Sequence, residues 1–363
     1  MLALVRYSAV AVVFVFACGC GRIAFDHDGS GLSPHVEITP PVTLSDPGTL
    51  GGCPVIVWNG DGWTVAWNDA RDHDTYFVRL DAAGVKQGGI VRVSNLLNLG
   101  SCPSLVWTGS EYLFEIAYQV CTDSFIEAYR FDARGALLGS VSSASTPVNT
   151  RLTWSIGWNG SGFHLTWNDS TLRFAQLDPT GRPIGTDFLL STTAAVYSMV
   201  IGTPPGSVAI WSEDKEVRFA TLAAGAVTYK MPIAATGSIS QPVGAAWTGS
   251  ELGLAWLTDP FHLWFAVADP ATGETTDPDE TTETIGQVRP LVASYPSGFG
   301  MVLTYPMAVP SMMFALRDAS GAKVGNATSL ADTGTSPAFT FGGDRFAVVY
   351  VVDNQIQLVF VKP

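Results

Sequence analysis

Two columns of aromatic residues recur along most of this sequence and constrain its fold more than any other feature. The first column sits in short Trp-x-Gly turns, and the second follows each turn roughly ten residues later. The first comprises Trp58, Trp107, Trp158 and Trp247, with weaker copies near Gly202, Tyr295 and Phe341. The second comprises Trp67, Tyr118, Trp167, Trp211, Trp256, Tyr305 and Tyr350. A period of roughly 45–50 residues is typical of repeat architectures, so the chain is predicted to contain seven similar units.

Each unit has the same internal order of four short strands. In residues 53–94, the alternating segment CPVIVW is followed by the turn NGDG, then WTVAW, TYFVRLD and GGIVRVS. Period-two alternation between turns rich in Gly, Asn and Asp indicates antiparallel strands, and no helical period is sustained. Four strands per unit at this spacing predict an all-β fold, a seven-bladed β-propeller of four-stranded antiparallel blades.

The two ends of the repeat predict how the ring closes. Residues 337–363 supply only three strands for the seventh unit, while residues 36–45 supply a strand that belongs to no other unit. We therefore expect residues 36–45 to pair with residues 355–361 and complete the last blade, which removes an open sheet edge. The propeller then spans residues 36–363. The acidic, Thr-rich run 274–284 is expected to form a solvated loop between the third and fourth strands of the fifth unit.

The first 19 residues have the pattern of a secretory signal. Residues 9–17 form an apolar run that is too short to span a bilayer but suits a signal peptide. The run ends at two cysteines. Cys20 is favoured as a lipidation site because the small residue Gly19 precedes it, Cys18 is the alternative, and cleavage nearby without lipidation is a third possibility. Residues 20–35 then form a tether.

The pattern WNG…W-x-D…D-x-x-G, together with the cysteine-terminated leader, resembles lipid-anchored repeat β-propeller proteins of bacteria. The resemblance implies an exported protein held on a membrane through an N-terminal lipid. Gly rather than Asp follows the cysteine, which in that family implies the outer membrane or cell surface. The repeated motifs are structural and imply no defined activity. The Asp boxes of sialidases and the Trp-Asp ending of WD40 repeats are missing from this sequence. Kelch repeats carry a Gly pair in each blade, whereas the pairs Gly88-Gly89 and Gly342-Gly343 are isolated here.

The net charge and the lack of catalytic motifs exclude several classes of function. The net charge is −13, from 32 acidic and 19 basic residues, so the sequence has no basic footprint for nucleic acid. No catalytic residues are assigned, because no nucleophile elbow, phosphate loop or metal-ligand motif occurs. We interpret the chain as a binding or scaffold module for a protein or glycan. A polysaccharide hydrolase or lyase acting outside the cytoplasm is the alternative.

Side chains expected at the loops on one face of the propeller form the candidate ligand site. They are Trp154, Asp169, Arg173, Asp214, His262 and Trp264. Convergence of these ionisable groups would favour an enzyme, whereas dispersal would favour a binding surface.

Asp69, Asp72 and Asp74 form the densest acidic cluster and are the candidate metal ligands. Calcium takes six to eight oxygen ligands, so carboxylates in one loop suit it. The competing interpretation is that each aspartate caps a tight turn through its own backbone. No other cofactor is expected.

The cysteines of an exported protein meet an oxidising compartment. Cys53 and Cys102 each precede a proline at the start of the innermost strand of neighbouring units, where inner strands converge. This favours a Cys53–Cys102 disulfide. A Cys102–Cys121 pair and three reduced thiols are the alternatives.

Overall fold

The computed structural model describes the chain from residue 36 to residue 363 with short gaps. The described residues are 36–94, 102–120, 123–143, 154–168, 171–192, 198–204, 206–213, 216–223, 226–229, 232–234, 243–258, 262–284, 290–305 and 311–363. These residues form strands and connecting turns. Within them there is no helix of the length and apolar character needed to cross a membrane. The signal sequence, both candidate lipidation cysteines and the tether lie outside the described residues.

Each of the first three blades is a four-stranded antiparallel sheet. Preceding them are the short strands β1 (Glu37–Ile38) and β2 (Val42–Thr43). Blade 1 contains β3 (Gly51–Trp58), β4 (Gly62–Asp69), β5 (Asp74–Asp81) and β6 (Val91–Arg92). Blade 2 contains β7 (Ser104–Trp107), β8 (Glu111–Val120), β9 (Asp123–Asp132) and β10 (Leu137–Ser142). Blade 3 contains β11 (Trp154–Trp158), β12 (Phe163–Asn168), β13 (Leu172–Leu177) and β14 (Phe188–Ser191).

The remaining blades follow the same plan, except that the outer edge of blade 4 has two short strands. Blade 4 contains β15 (Ser198–Thr203), β16 (Gly206–Glu213), β17 (Glu216–Ala223), β18 (Ala226–Tyr229) and β19 (Ile233–Ala234). Blade 5 contains β20 (Gly244–Trp247), β21 (Leu252–Thr258), β22 (His262–Ala268) and β23 (Asp279–Thr284). Blade 6 contains β24 (Leu291–Tyr295), β25 (Gly298–Thr304), β26 (Met312–Asp318) and β27 (Lys323–Ala331). Blade 7 contains β28 (Thr335–Gly342), β29 (Arg345–Val352) and β30 (Gln355–Lys362).

The N-terminal strands complete blade 7, which confirms the predicted closure. In β1, Glu37 pairs with Lys362, and in β2, Thr43 pairs with Gln357, both antiparallel to β30. The added strand is interrupted at residues 40–41, two prolines whose nitrogens cannot donate to the ladder. The seven-bladed propeller with its last blade closed by the N-terminal strand is therefore the observed fold.

Seven buried clusters fill the interfaces between successive blades and close the ring. The first, for example, joins Trp63, Val65 and Trp67 of blade 1 to Val349 and Leu358 of blade 7. The innermost strand of each blade also contacts the innermost strand of the next, from β3 around to β28 and back. A Cβ added at Gly342 of β28 would lie 2.3 Å from the Trp58 ring, so the last interface needs glycine where the ring closes.

The strand register shows that two members of the second aromatic column, Tyr118 and Tyr305, do not occupy the position that the other members share. Trp67 lies four residues after Trp63, the residue paired with Trp58 at the first turn. In blade 2 the residue four after Tyr112, the partner of Trp107, is Ile116. In blade 6 the residue that packs toward the preceding blade in the same way is Leu303, and both Ile116 and Leu303 are fully buried. Tyr118 and Tyr305 lie two residues further along and are only partly buried. The column is therefore a row of large buried side chains, of which five are aromatic.

A disulfide joins Cys53 to Cys102, with the two Cα atoms 5.1 Å apart. It links the start of β3 to the residues just before β7, so it connects the innermost strands of blades 1 and 2. This is the first of the pairings weighed from the sequence. Cys121 lies outside the described residues.

The acidic run 274–284 is only partly the loop that the sequence predicted. Asp279–Thr284 is the outermost strand of blade 5, and Trp264 pairs with Glu280. This strand, DETTET, consists of acidic residues and threonines only, and an edge strand leaves one edge of the sheet open to water. The composition therefore suits an exposed edge as well as a loop.

Candidate functional site

A groove between the outer parts of blades 3 and 4 is lined by polar and aromatic side chains. Its residues come from the hairpin of β16 and β17. Trp211 pairs with Arg218, and Glu213 pairs with Glu216. Directly paired residues of an antiparallel ladder point to the same side of the sheet. All four side chains therefore project from one face of blade 4 toward blade 3.

The outer strand of blade 4 adds an aromatic ring to the same face. Tyr229 of β18 pairs with Ala220, which packs in the interface with blade 3. Its ring is 55% exposed and its hydroxyl donates a hydrogen bond of 3.1 Å to the Leu190 carbonyl. The Trp211 ring lies edge-on to Tyr229, with ring centroids 6.2 Å apart. Tyr229 thus links the two blades and presents one face to solvent.

Residues 189–192 at the end of β14 form the opposite wall of the groove. The cavity between the walls has a volume of about 590 Å³. Pockets of 300–1,000 Å³ are typical for small ligands, so the groove has room for a small molecule.

One arginine links the two carboxylates of the groove. Arg218 lies 3.3 Å from Glu213 Oε2 through Nη1 and 2.9 Å from Glu216 Oε2 through Nη2. Glu213 is 7% exposed, whereas Arg218 and Glu216 are partly open to solvent. Burial and the negative charge of Glu213 raise the pKa of Tyr229 above its usual value. The groove therefore holds two acceptor groups, one donor fork and a neutral phenol, with a net charge of about −1.

The described residues of the predicted ligand face flank this groove on blades 3 and 5. In blade 3, Trp154, Trp167 and Arg173 pair in one row, and Arg173 contacts Asp187. Arg173 thus occupies the position in its blade that Arg218 has in blade 4. No hydrogen bond or ion pair joins this row to blade 5 within the described ranges.

In blade 5, His262 and Trp264 occupy the positions equivalent to Glu216 and Arg218. His262 contacts Glu280, and Trp264 Nε1 donates a hydrogen bond of 3.0 Å to the Thr258 hydroxyl. Asp169 and Asp214 lie outside the described residues. The structure thus places the predicted residues at equivalent positions on separate blades and does not gather them into one cluster.

The three candidate calcium ligands have separate partners in the structure. Asp69 is buried, and Arg71 donates to it through Nε at 2.9 Å and 3.0 Å. Burial alone would raise the pKa of Asp69, but Arg71 and the backbone N–H groups of Arg71 and Leu50 hold it below its usual value. Asp74 contacts Arg92, and Asp72 accepts a hydrogen bond from the Tyr76 hydroxyl.

Calcium binding by Asp69, Asp72 and Asp74 therefore stays a prediction. Burial and the bond to Asp72 raise the pKa of Tyr76 to about 12. Over the ranges that the structure describes, no group of three His, Cys, Asp or Glu side chains is arranged to hold a metal ion.

Sequence reasoning missed Glu213, Glu216, Arg218 and Tyr229. Trp211 belongs to the second aromatic column, whose spacing predicts the repeat and not a ligand site. The signal that identifies the groove is the alternation in WSE and EVR, which places three polar groups on the same side as the tryptophan. This pattern predicts a site only when the register between β16 and β17 is known, and the register cannot be derived from the sequence.

Comparison with known proteins shows the fold. No protein-family model matches the chain, and no curated protein shows significant similarity to it. The structure is similar to BBS1N in complex with ARL6DN, with a TM-score of 0.59, 9% identity, and coverage of 89% of this chain and 97% of that one. It is similar to a protein of unknown function from Dyadobacter fermentans, with a TM-score of 0.56, 10% identity, and coverage of 91% and 99%.

A third similar structure is AofleA from Arthrobotrys oligospora, with a TM-score of 0.52, 11% identity, and coverage of 82% of this chain and 90% of that chain. At such low identities the likeness concerns the fold and not the site. A propeller of this architecture is compatible with a binding or scaffold module.

Proposed function

We propose that this protein is an exported, lipid-anchored binding module whose groove between blades 3 and 4 takes a neutral glycan. The observation that carries the proposal is the set of five side chains on one face of blade 4. They are Trp211, Glu213, Glu216, Arg218 and Tyr229. The leader, with its apolar run and Cys20, supports export and anchoring.

The chemistry of the groove suits sugar hydroxyls. A hydroxyl both donates and accepts hydrogen bonds, whereas a carboxylate only accepts and a guanidinium only donates. Glu216 and Arg218 therefore complement a row of hydroxyls from both sides. The exposed ring of Tyr229 offers an apolar surface for the C–H face of a sugar. Because two carboxylates face one guanidinium, we expect acidic glycans to be disfavoured.

The carboxylates are arranged for binding rather than hydrolysis. A glycoside hydrolase needs one protonated and one ionised carboxyl group on either side of the scissile bond. Glu213 and Glu216 instead form ion pairs with one and the same guanidinium, that of Arg218. The second candidate function is that of a polysaccharide hydrolase or lyase, because two carboxylates lie within one groove. A protein partner is the other ligand class, and the similar BBS1N propeller is itself held in a complex with ARL6DN.

The test is a glycan array probed with the full-length protein purified in detergent. We expect binding to neutral oligosaccharides and loss of binding in Tyr229→Ala. Leu138→Ala, at a 48% exposed aliphatic residue on another blade, is the control and should bind as the parent does. Bound glycans should be recovered at their original length. Shortened products would support the hydrolase or lyase, and an array without neutral ligands would contradict the glycan proposal.

A further inference from the structure

The turns between the third and fourth strands have the same construction in blades 1, 2 and 3. Each begins with an aspartate whose carboxylate accepts backbone N–H groups of its own turn. Asp81 accepts bonds of 2.9 Å from Ala83 and Val85, and Asp132 accepts bonds of 2.9 Å and 2.8 Å from Arg134 and Ala136. The Asp178 carboxylate accepts equivalent bonds in blade 3. These aspartates are therefore engaged within the turns.

The residues that follow these aspartates expose aliphatic side chains. Among the described residues, eight large hydrophobic side chains are exposed, and four of them lie at these three turns. They are Val85 at 60%, Leu137 at 57%, Leu138 at 48% and Ile184 at 55%. Exposed apolar residues scattered singly need no explanation, but a row of them on consecutive blades indicates an interaction surface.

Three exposed cations stand beside these side chains. They are Lys86, Arg134 and Arg182, one from each turn. None of the three forms an ion pair within 4 Å in the described part of the chain. Three cations offset the three capping aspartates, so this patch is locally neutral on an otherwise acidic protein. We call the four aliphatic and three basic residues the aliphatic edge.

The aliphatic edge is continuous because each turn packs on the blade before it. Arg79 of blade 1 donates a hydrogen bond of 3.1 Å to the Ala133 carbonyl in the turn of blade 2. Gly181 in the turn of blade 3 lies against Ala128 and Leu113 of blade 2, since an added Cβ would meet them at 3.0 Å and 3.3 Å. The three turns therefore form one row along a single end of the propeller.

The chain enters the propeller at this same end. Glu37 pairs with Lys362, the last residue of β30, and Thr39 donates to the Phe360 carbonyl. The turn of blade 1 packs on that strand, because a Cβ at Gly84 would lie 2.8 Å from the Phe360 ring. The groove between blades 3 and 4 opens instead near Glu213 and Glu216, at the opposite ends of the strands.

We propose that the aliphatic edge rests on the lipid bilayer to which the N-terminal lipid anchors the protein. The inference rests on the lipid anchor of the proposed function. Aliphatic side chains gain from entering the boundary between headgroups and acyl chains, while Lys and Arg reach the headgroups with their charged ends. After removal of residues 1–19, which include Arg6, the charge is 32 acidic minus 18 basic residues, or −14. The acidic remainder is repelled by anionic lipid, so the groove faces away from the membrane.

The test uses natively processed protein reconstituted in vesicles of phosphatidylethanolamine and phosphatidylglycerol that contain a photoactivatable phospholipid. Flotation of the vesicles reports anchoring, and mass spectrometry of crosslinked peptides reports the contacting surface. The variant Val85→Ser/Leu138→Ser/Ile184→Ser removes aliphatic side chains from the edge. The matched control Val42→Ser/Leu50→Ser/Leu189→Ser changes three comparably exposed aliphatic residues elsewhere.

We expect crosslinks to concentrate in residues 82–87, 133–138 and 179–184. The edge variant should lose crosslinking several-fold while still floating, and the control should crosslink as the parent does. Flotation with crosslinks spread over other blades, or unchanged in the edge variant, overturns the bilayer contact and leaves the anchor intact. Protein that does not float overturns the anchor and the bilayer contact together, whereas glycan binding on the array is independent of both results.

Discussion

The Trp211 indole Nε1 donates a hydrogen bond of 3.0 Å to the Glu213 carboxylate. Trp211 is 1% exposed and packs in the interface between blades 3 and 4, so a core residue holds a groove residue in place. Arg218 contacts the same carboxylate oxygen, Oε2 of Glu213, at 3.3 Å. In blade 5, the equivalent Trp256 has no hydrogen-bond partner at Nε1 among the described residues. The groove therefore depends on a bond that this other repeat lacks.

Replacing Trp211 with Phe should lower the free energy of unfolding more than the same change at Trp256. Both substitutions remove the same volume from a fully buried site, but only Trp211→Phe removes a bond to a charged group, which contributes about 1.5–3 kcal/mol. Chemical denaturation of the two variants measures the difference. Equal destabilisation would show that the bond to Glu213 does not stabilise the fold.

The closing strand should stabilise the propeller through Leu44, which is fully buried between blades 7 and 1. We expect Leu44→Ala to lower the free energy of unfolding by about 2–5 kcal/mol. Val42→Ala is the control, because Val42 lies two residues before Leu44 in the same closing segment and is 51% exposed. It should change stability by less than about 0.5 kcal/mol. If Leu44→Ala unfolds at the denaturant midpoint of Val42→Ala, blade closure does not contribute to stability.

The Cys53–Cys102 disulfide should stabilise the ring by linking two blades. It closes a loop with a sequence separation of 49 residues. Removal of such a link costs about 2–4 kcal/mol, largely because the unfolded chain regains freedom. Cys102→Ser should therefore lower the denaturant midpoint. Non-reducing peptide mapping should show a Cys53–Cys102 peptide, and a Cys102–Cys121 peptide or three free thiols would contradict the clamp.

Glu115 should make stability fall as the pH rises. It is fully buried in β8 within the interface between blades 2 and 3, and burial raises its pKa from 4.5 to about 8, with the Ser143 hydroxyl opposing the shift only in part. Between these two pKa values the folded state holds a proton that the unfolded state releases. The free energy of unfolding therefore decreases as the pH rises from about 4.5 to about 8.

Glu115→Gln should flatten this pH dependence and stabilise the protein near pH 8. The control is Glu111→Gln on the same strand, because Glu111 is partly exposed and lies 2.6 Å from Arg130. That variant should keep the slope of the parent. The measurement is the unfolding midpoint of each variant from pH 5 to pH 9. If the midpoint of Glu115→Gln depends on pH as steeply as that of the parent, Glu115 does not titrate as described.

The sequence was sufficient to predict the architecture because the repeat encodes it many times. A large apolar side chain must fill each gap between blades, and a tryptophan such as Trp67 or Trp256 marks that position visibly. At Ile116 and Leu303 an aliphatic side chain fills the same space, and a search for aromatic residues selects the wrong neighbour. The closure was predictable because the seventh unit lacks a fourth strand and residues 36–45 belong to no other unit. In a ring of four-stranded blades, the second fills the place of the first.

The groove was not predictable because its parts are ordinary when taken singly. Glu213 and Glu216 are paired acidic residues at the end of a hairpin, as Asp69 and Asp74 are in blade 1. Only the register, which sets them opposite each other beneath Arg218, makes them a site. Tyr229 comes from a third strand and reaches the groove through its pairing with Ala220. Alternation within one strand predicts which residues point to the same side of the sheet. To predict a site, one must also know which strands contribute side chains to it.

The groove is tested most directly by calorimetric titration of an oligosaccharide selected on the array into the full-length protein and into Arg218→Gln. We expect Arg218→Gln to bind at least tenfold more weakly, equivalent to about 1.4 kcal/mol, because the two carboxylates lose their shared cation. Arg134→Gln, which removes an exposed arginine of the aliphatic edge, should bind with the affinity of the parent. Equal affinities for the parent and a correctly folded Arg218→Gln would contradict the assignment of the groove as the glycan site.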